Sequence, residues 1–298
     1  MNWDLFPQFL ATGLLTGGIY SLIALGLVLI YKSSRVFNFA QGHMLMVGAF
    51  VTWWFTDEFG WNVWLAFAAA IGVAVVMGLL IERLALRALI GQPILATIMM
   101  TLGLSQILQG GTIIGFGAMQ RSLPQMFPLQ PIILGDVRLK MNLVMAFGIA
   151  MLGFLLFVLF FRYTRWGLAM RAAAEDHQLA RSVGLRVPRI FGLAWAIASV
   201  VATVGGVLLA SISGVELNLS IVALKAFPAV LFGGLESIPG AIIGGLTVGL
   251  IENLVGGMPA DPTIRSLHLA EVAPYVFMLI VLWFRPDGLF GLKRIERI

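Results

Sequence analysis

The chain has 298 residues, 60% of them hydrophobic and only 11% charged, with 19 basic and 14 acidic side chains for a formal charge of +5. Soluble globular domains carry roughly 25% charged residues, so this composition excludes one and calls for an integral membrane protein. The absence of cysteine, with His43, His177 and His268 far apart in sequence, excludes a disulfide framework, thiolate chemistry and a Cys-ligated metal and argues against a His-metal cluster; no metal or other cofactor is expected.

The first residues, MNWDLF, lack a basic region ahead of the apolar run, so no cleavable signal peptide is expected. About 20 apolar residues at ~1.5 Å rise cross a ~30 Å hydrocarbon core, and charge-free runs locate the spans. Between Asp4 and Lys32 lie 27 uncharged residues, the first span. Between Arg35 and Asp57 lie 21, with Asn38, Gln41 and His43 near their start. Asn62 to Ile81 is a third span, and the 33 uncharged residues between Arg87 and Arg121 hold a fourth that ends near Gly115 to Gly117. Pro124, Pro128 and Pro131 then predict an extended loop without a core of its own. Met141 to Phe161 is a fifth span, Phe191 to Val215 a sixth, and the last runs from about Leu267 to Phe284. No internal repeat stands out, and the pairs Gly17-Gly18, Gly205-Gly206 and Gly244-Gly245 read as close helix contacts. The expected fold is all-α: a polytopic membrane helical bundle of about eight to nine membrane segments, forming a single transmembrane domain over residues 1–298.

Basic residues in short loops set the orientation. Fourteen of them, in the groups Lys32 to Arg35, Arg83 to Arg87, Arg162 to Arg189 and Arg285 to Arg297, share one side, against four on the other. The fourteen are therefore cytoplasmic, which puts the N-terminus outside and the C-terminus inside. Nothing in their placement suggests nucleic acid. The stretch KAFPAVLFGGLESIPGAIIGGLTVGLIEN, Lys225 to Asn253, is apolar yet interrupted by Pro228, Gly233-Gly234, Pro239-Gly240 and Gly244-Gly245. Freed backbone groups in hydrocarbon must be satisfied by protein or by a water-filled cavity, so the break points to a lined passage or to close helix packing. Parity requires this stretch to leave and return to the outer side. Two short half-spans or a re-entrant hairpin are expected, with Glu236 at the inner turn and uncharged flanks of 10 and 15 residues.

The cytoplasmic segment RYTRWGLAMRAAAEDHQLARSVGLRVPR, Arg162 to Arg189, predicts a helix of about four turns. Arg171 and Glu175 lie four apart, Leu168, Ala172, Leu179 and Val183 form an apolar stripe, and Gly184 followed by Pro188 supplies the stop. Such a helix either lies on lipid headgroups or docks a soluble partner.

Five blocks carry a resemblance: TGGIYSLIALGLVLIY from Thr16, NFAQGHMLMVGAF from Asn38, the segment from Arg162, the segment from Lys225, and LWFRPDGLFG from Leu282. In this order they span nearly the whole chain, which resembles the LivH-like permease subunits of branched-chain amino-acid ABC transporters. Two departures are Leu185 after Gly184, where Ile is usual, and Glu236 where the family's turn has a third Gly. The resemblance implies a bacterial inner (plasma) membrane permease that is not itself an enzyme. Its implied partners are a periplasmic substrate-binding protein, a second LivM-like permease subunit, two cytoplasmic ATPase subunits, a small amino-acid substrate and membrane lipid. None of Lys32, Lys140, Lys225 and Lys293 follows a Gly, so a phosphate-binding Walker A loop is excluded here. The resemblance further implies that the helix carrying Arg171, Glu175, Asp176, Ala180 and Gly184 couples to an ATPase.

For the substrate pathway the expected residues are Asn38, Gln41, His43, Gly233, Gly234, Glu236 and Ser237. Asn38 either lines a cavity or caps a helix, and Glu236 with Ser237 either accepts from an ammonium group or faces cytoplasmic water. Lys225 reads as a side chain snorkelling from a span end, and Glu252 and Asn253 as an anchored end. An ion-coupled secondary carrier is the alternative, since it too would need a broken helix near the midplane; an intramembrane hydrolase built on Ser21 or Ser105 with His43 has no supporting motif.

Overall fold

The protein is described by a computed structural model that covers residues 5–89, 92–128, 130–135, 137–175, 177–182, 184–257 and 268–291. Helices α1 (Phe6–Ser34), α2 (Gln41–Asp57), α3 (Val63–Ile81) and α4 (Ile94–Phe116) come first. A two-stranded antiparallel hairpin, β1 (Ile132–Leu134) and β2 (Val137–Leu139), follows, and then α5 (Met141–Tyr163), α6 (Arg165–Glu175) and α7 (His177–Ser182). The chain continues with α8 (Val187–Ser213), α9 (Leu219–Leu224), α10 (Ala226–Gly233), α11 (Ile238–Gly257) and α12 (Leu269–Phe284). Six helices among the described residues are long and apolar enough to cross a membrane: α1, α3 with its continuation to Leu89, α4, α5, α8 and α11. Leu219–Gly233 and α12 are shorter apolar helices.

The chain separates into two compact units. One contains residues 29–126 and 152–223. Its centre is α8 packed on α2 and α3, with α2 also against α4. Trp195, Phe50, Met44, Leu45 and Met46 are fully buried here. Helices apolar on every face belong in an interior, which is why the 17-residue α2 is almost wholly buried although it is too short for a full span. Small residues set the spacing. A methyl on Gly206 would meet the Leu45 carbonyl oxygen at 2.2 Å, one on Gly48 the Thr203 hydroxyl at 2.4 Å, and one on Gly78 the Trp195 carbonyl oxygen at 2.5 Å. Large apolar side chains such as Leu65, Val76, Ile107, Ile114, Leu155 and Leu156 are exposed on α3, α4 and α5, as lipid-facing helices require.

The other unit contains residues 1–28, 127–151 and 224–298. Helices α10, α11 and α12 pack mutually. Gly13 and Gly17 on α1 oppose Gly249 and Gly245 on α11, running antiparallel: a methyl at Gly249 would lie 2.4 Å from the Gly17 Cα, and one at Gly245 2.4 Å from the Ser21 Cα. Glycines four apart on both helices let the backbones touch. Ser21 Oγ then reaches across and donates to the Ile242 carbonyl at 2.9 Å. The expectation that the paired glycines mark close helix contacts is met at Gly17, Gly206, Gly244 and Gly245.

Several expectations need correction. The 117–140 segment is not a loop throughout, because β1 and β2 pair through Ile133↔Arg138, so the described residues are helical with one short β-hairpin. The second arm of the 225–253 hairpin is no half-span: α11 runs 20 residues, straight through Glu252. Its charge is neutralised by Lys225 at 2.5 Å, so it does not end an apolar helix as an unpaired carboxylate would. The cytoplasmic segment is helical on both sides of Asp176, and the described part of its expected stripe faces outward: Leu168, Ala172 and Leu179 are exposed while Gly167, Met170, Ala173 and Ala180 are buried, and Val183 lies outside the described residues.

Candidate functional site

The hairpin break is built by local backbone chemistry. Gly234 takes φ +101 and its N–H closes the end of α10 on the Val230 carbonyl at 2.8 Å, a left-sided conformation glycine adopts freely. Ser237 precedes α11 and its hydroxyl accepts from Gly240 N–H at 3.0 Å, an N-cap. A methyl on Gly233 would meet the Gly240 carbonyl oxygen at 2.1 Å, so the two arms touch through bare backbone at their turn. The stretch after α12 closes this turn from beneath. Leu289 N–H donates to the Phe232 carbonyl at 2.8 Å and Phe290 N–H to the Gly233 carbonyl at 3.2 Å, and Gly291 lies against Gly234. The carbonyls left over at the break are therefore satisfied by protein, and Gly233, Gly234 and Ser237 have structural roles whatever else they meet. Glu236 is half-buried on the turn and has an interaction partner.

Asn38, Gln41 and His43 come together at the start of α2. Asn38 Oδ1 accepts from Ala40 N–H at 3.0 Å, its Nδ2 donates to Gln41 Oε1 at 3.0 Å, and Gln41 Nε2 donates to the Ala198 carbonyl of α8 at 3.3 Å. Both side chains are only 1% exposed, so their polar groups are consumed in tying the helix start to α8, as buried amides demand. His43 shares a hydrogen bond with Gln109 of α4, while its buried Nδ1 has no partner.

In the cytoplasmic segment Thr164 caps α6 by accepting from Gly167 N–H at 3.0 Å. Arg171 turns to the end of α5 in place of the expected pairing with Glu175. Its guanidinium donates to the Phe161 and Arg162 carbonyls and lies 5.5 Å over the Phe161 ring, so it closes the C-terminal end of α5. Gly184 has φ +86, with Gly184 N–H on the Arg181 carbonyl and Leu185 N–H on the Ala180 carbonyl, each at 3.0 Å. That paired bonding is the glycine stop anticipated from sequence. Glu175 is exposed and Ala180 buried; Asp176 lies outside the described residues.

One constellation was missed. Lys225, at the start of α10, reaches Glu252 of α11, its Nζ 2.5 Å from Oε1, and Tyr20 of α1 donates its hydroxyl to Oε2 at 2.7 Å. Lys225 is thus held in an ion pair and does not snorkel, and Glu252, expected at an anchored end, lies inside α11, which runs on to Gly257. Side chains 232 positions apart meet here, which hydropathy along the chain does not reveal. The one available signal was a cation at the start of the apolar stretch, Lys225, and an anion near its end, Glu252. Among the described residues no cluster of His, Asp and Glu is arranged to hold a metal.

Residues 9–282 match the family described as branched-chain amino acid transport system / permease component. The permease protein LivH of the high-affinity branched-chain amino acid transport system of Escherichia coli K12 is 30% identical over 98% of both chains. BraD of Pseudomonas aeruginosa, named as a permease of the same kind of system, is also 30% identical over 98% of each. A probable LivH from Methanocaldococcus jannaschii is 29% identical over 99% of this chain and 96% of its own. Among solved structures, PsaBC from Streptococcus pneumoniae in complex with Fab aligns at a TM-score of 0.49 and 14% identity, too loose a likeness to fix the fold.

Proposed function

This chain belongs to the family of permease components of branched-chain amino acid transport systems, and from that premise we propose the arrangement in which it works. It is a multi-pass inner-membrane permease, not an enzyme. It pairs with a second, LivM-like permease subunit to form the path for branched-chain or related amino acids. A periplasmic binding protein delivers the substrate, and two cytoplasmic ATPase subunits supply the energy. The family match over residues 9–282 carries this reading; the missing Walker A lysine agrees with it, because the chain lacks the loop with which P-loop ATPases hold phosphates.

The two compact units make up one permease domain over residues 1–298 in this reading. The N-terminus is outside and the C-terminus inside, with eight to nine segments counting α2, the α10–α11 hairpin and α12. The hairpin turn around Glu236 then faces the cytoplasm. The exposed stripe of Leu168 and Leu179, with Glu175 on the same segment, is the surface we assign to an ATPase, together with Asp176 and Gly184; Ala180, being buried, packs inside the segment. Arg171 supports that surface by fixing α6 to the end of α5. Of the pathway candidates Asn38, Gln41, His43, Gly233, Gly234, Glu236 and Ser237, His43 keeps a buried ring nitrogen with unused bonding capacity and is the one we place nearest the passage.

Reconstitution tests this. The purified chain alone in liposomes is expected to be inert. Adding the sister permease, both ATPases, the binding protein and ATP should give accumulation of leucine, isoleucine or valine. Uptake by the chain alone on an ion gradient would instead establish a secondary carrier. A cysteine at Met258, which lies outside the described residues, should react with an impermeant thiol reagent from the outer side only.

A further inference from the structure

The Lys225, Glu252 and Tyr20 constellation has a composition that packing does not call for. Ionisable groups within apolar membrane segments are costly and mark solute paths, and a buried ion pair is seldom better for stability than apolar residues of the same volume. The helices around it are already joined by glycine contacts, Gly17 against Gly245 and Gly249, so no polar clasp is needed to hold α1 to α11. The charges are also incompletely sealed: the Lys225 and Glu252 side chains retain 14% and 17% exposure.

Bonding capacity is left over at both charges. An ammonium has three donors, and among the described residues Glu252 is the only hydrogen-bond partner of Lys225 Nζ. A carboxylate has about four lone-pair sites, and here Oε1 takes one bond from Lys225 and Oε2 one from Tyr20. Tyr275 of α12 brings a second phenol within electrostatic range of Glu252. Four elements of one compact unit thus converge on one cation and one anion side by side. The charged end of a free amino acid has the matching form, a carboxylate and an ammonium on one carbon. Laid antiparallel to the pair, its carboxylate takes the two unused Lys225 donors and its ammonium donates to unused Glu252 lone pairs, and no protein charge is left uncompensated.

We propose that Lys225, Glu252 and Tyr20 form a weak, transient recognition site for the zwitterionic end of an amino acid moving through the permease. Lys225 binds the carboxylate, Glu252 binds the ammonium, and Tyr20 holds the Glu252 carboxylate in place. The site reads the backbone end of the solute and leaves side-chain selection to other groups. It rests on the permease reading above.

The test uses the complete reconstituted importer with its binding protein and ATP. Leucine uptake by the wild-type complex checks the permease reading; the ratio of variant to wild type checks the site. Glu252→Gln, Lys225→Met and the double neutral variant Lys225→Met/Glu252→Gln are each expected to lower uptake at least tenfold. A structural clasp behaves otherwise: removing both charges together restores uptake, and that result overturns the proposal. Because the chain has no cysteine of its own, Tyr20→Cys gives a readout that does not depend on the charge variants assembling. In the assembled importer this cysteine should react with a small water-soluble thiol reagent, and millimolar leucine should slow the reaction several-fold. No reaction, or a reaction that leucine leaves unchanged, also overturns the proposal.

Discussion

Gly249→Ala is expected to separate two helices that touch by bare backbone. The added methyl would lie 2.4 Å from the Cα and N of Gly17 and 2.5 Å from the Gly13 carbonyl oxygen. Carbon atoms in contact want about 3.5–4.0 Å. The neighbours are backbone, with no side-chain rotation to relieve the clash, so α1 and α11 must move apart by about 1 Å or more. Overpacking of this kind costs about 1–3 kcal/mol. The Ser21 bond to the Ile242 carbonyl, 2.9 Å long, stretches with it and forfeits roughly 0.6 kcal/mol, the average for interhelical bonds in membranes. Together the loss is about 1.6 to 3.6 kcal/mol, a roughly 15- to 400-fold fall in the folded-to-unfolded ratio. Denaturation by SDS in mixed micelles, followed by the fluorescence of the eight tryptophans, measures it. Gly72→Ala and Gly148→Ala are the controls, because nothing lies within 4 Å of a methyl at either position. Those two should be neutral or gain up to about 1 kcal/mol from helix propensity. If Gly249→Ala unfolds at the same SDS fraction as Gly72→Ala, the glycine contact does not hold these helices, and the packing argument fails.

Asn38→Leu should cost about 1–3 kcal/mol in the same assay, because Gln41 Oε1 loses its donor and Ala40 N–H its acceptor in a buried site; Gln41→Leu in the same chain should recover part of that loss. Ser237→Ala removes the cap of α11 and should cost about 1 kcal/mol, while Ser237→Asp, which keeps an acceptor, should restore most of it. Glu175→Lys with Asp176→Lys should lower both transport and the amount of ATPase recovered on the purified permease, with membrane insertion unchanged; recovery equal to wild type would move the ATPase contact elsewhere.

What sequence made legible was one-dimensional. Charge-free runs placed α1, α3, α4, α5 and α8, because a single charge in hydrocarbon is costly enough to end most spans. Gly184 and the glycines and prolines near 233–240 announced their breaks, since backbone freedom and a missing N–H act locally. The rest required knowing what lies opposite. From hydropathy alone Glu252 marks the end of a segment, yet α11 continues to Gly257, because a carboxylate paired with Lys225 at 2.5 Å no longer carries the cost of an isolated one. The outward stripe of α6 and α7 could not be assigned from its period, because Gly167, set close against the Phe161 carbonyl, turns the face of Gly167, Met170 and Ala173 inward and leaves Leu168 outside. The β1–β2 pairing is three residues on each strand, too short for alternation to register.

Hydrocarbon offers no hydrophobic gain for bringing apolar helices together, so cohesion here must come from close approach and from polar groups that find each other. The sequence features that most suggested a passage are consumed by that requirement. Gly233 packs on Gly240, Ser237 caps α11, and the broken carbonyls of Phe232 and Gly233 accept from the Leu289 and Phe290 N–H groups. Small or broken backbone is thus as much a packing device as a conduit, and its presence alone does not separate the two. Ionised side chains are a sharper indicator, because close packing between helices can be had from glycine without their desolvation cost. In the unit that holds the hairpin, that criterion passes over the glycines and selects Lys225 and Glu252, which is why neutralising those two together, more than any glycine substitution, separates transport from architecture.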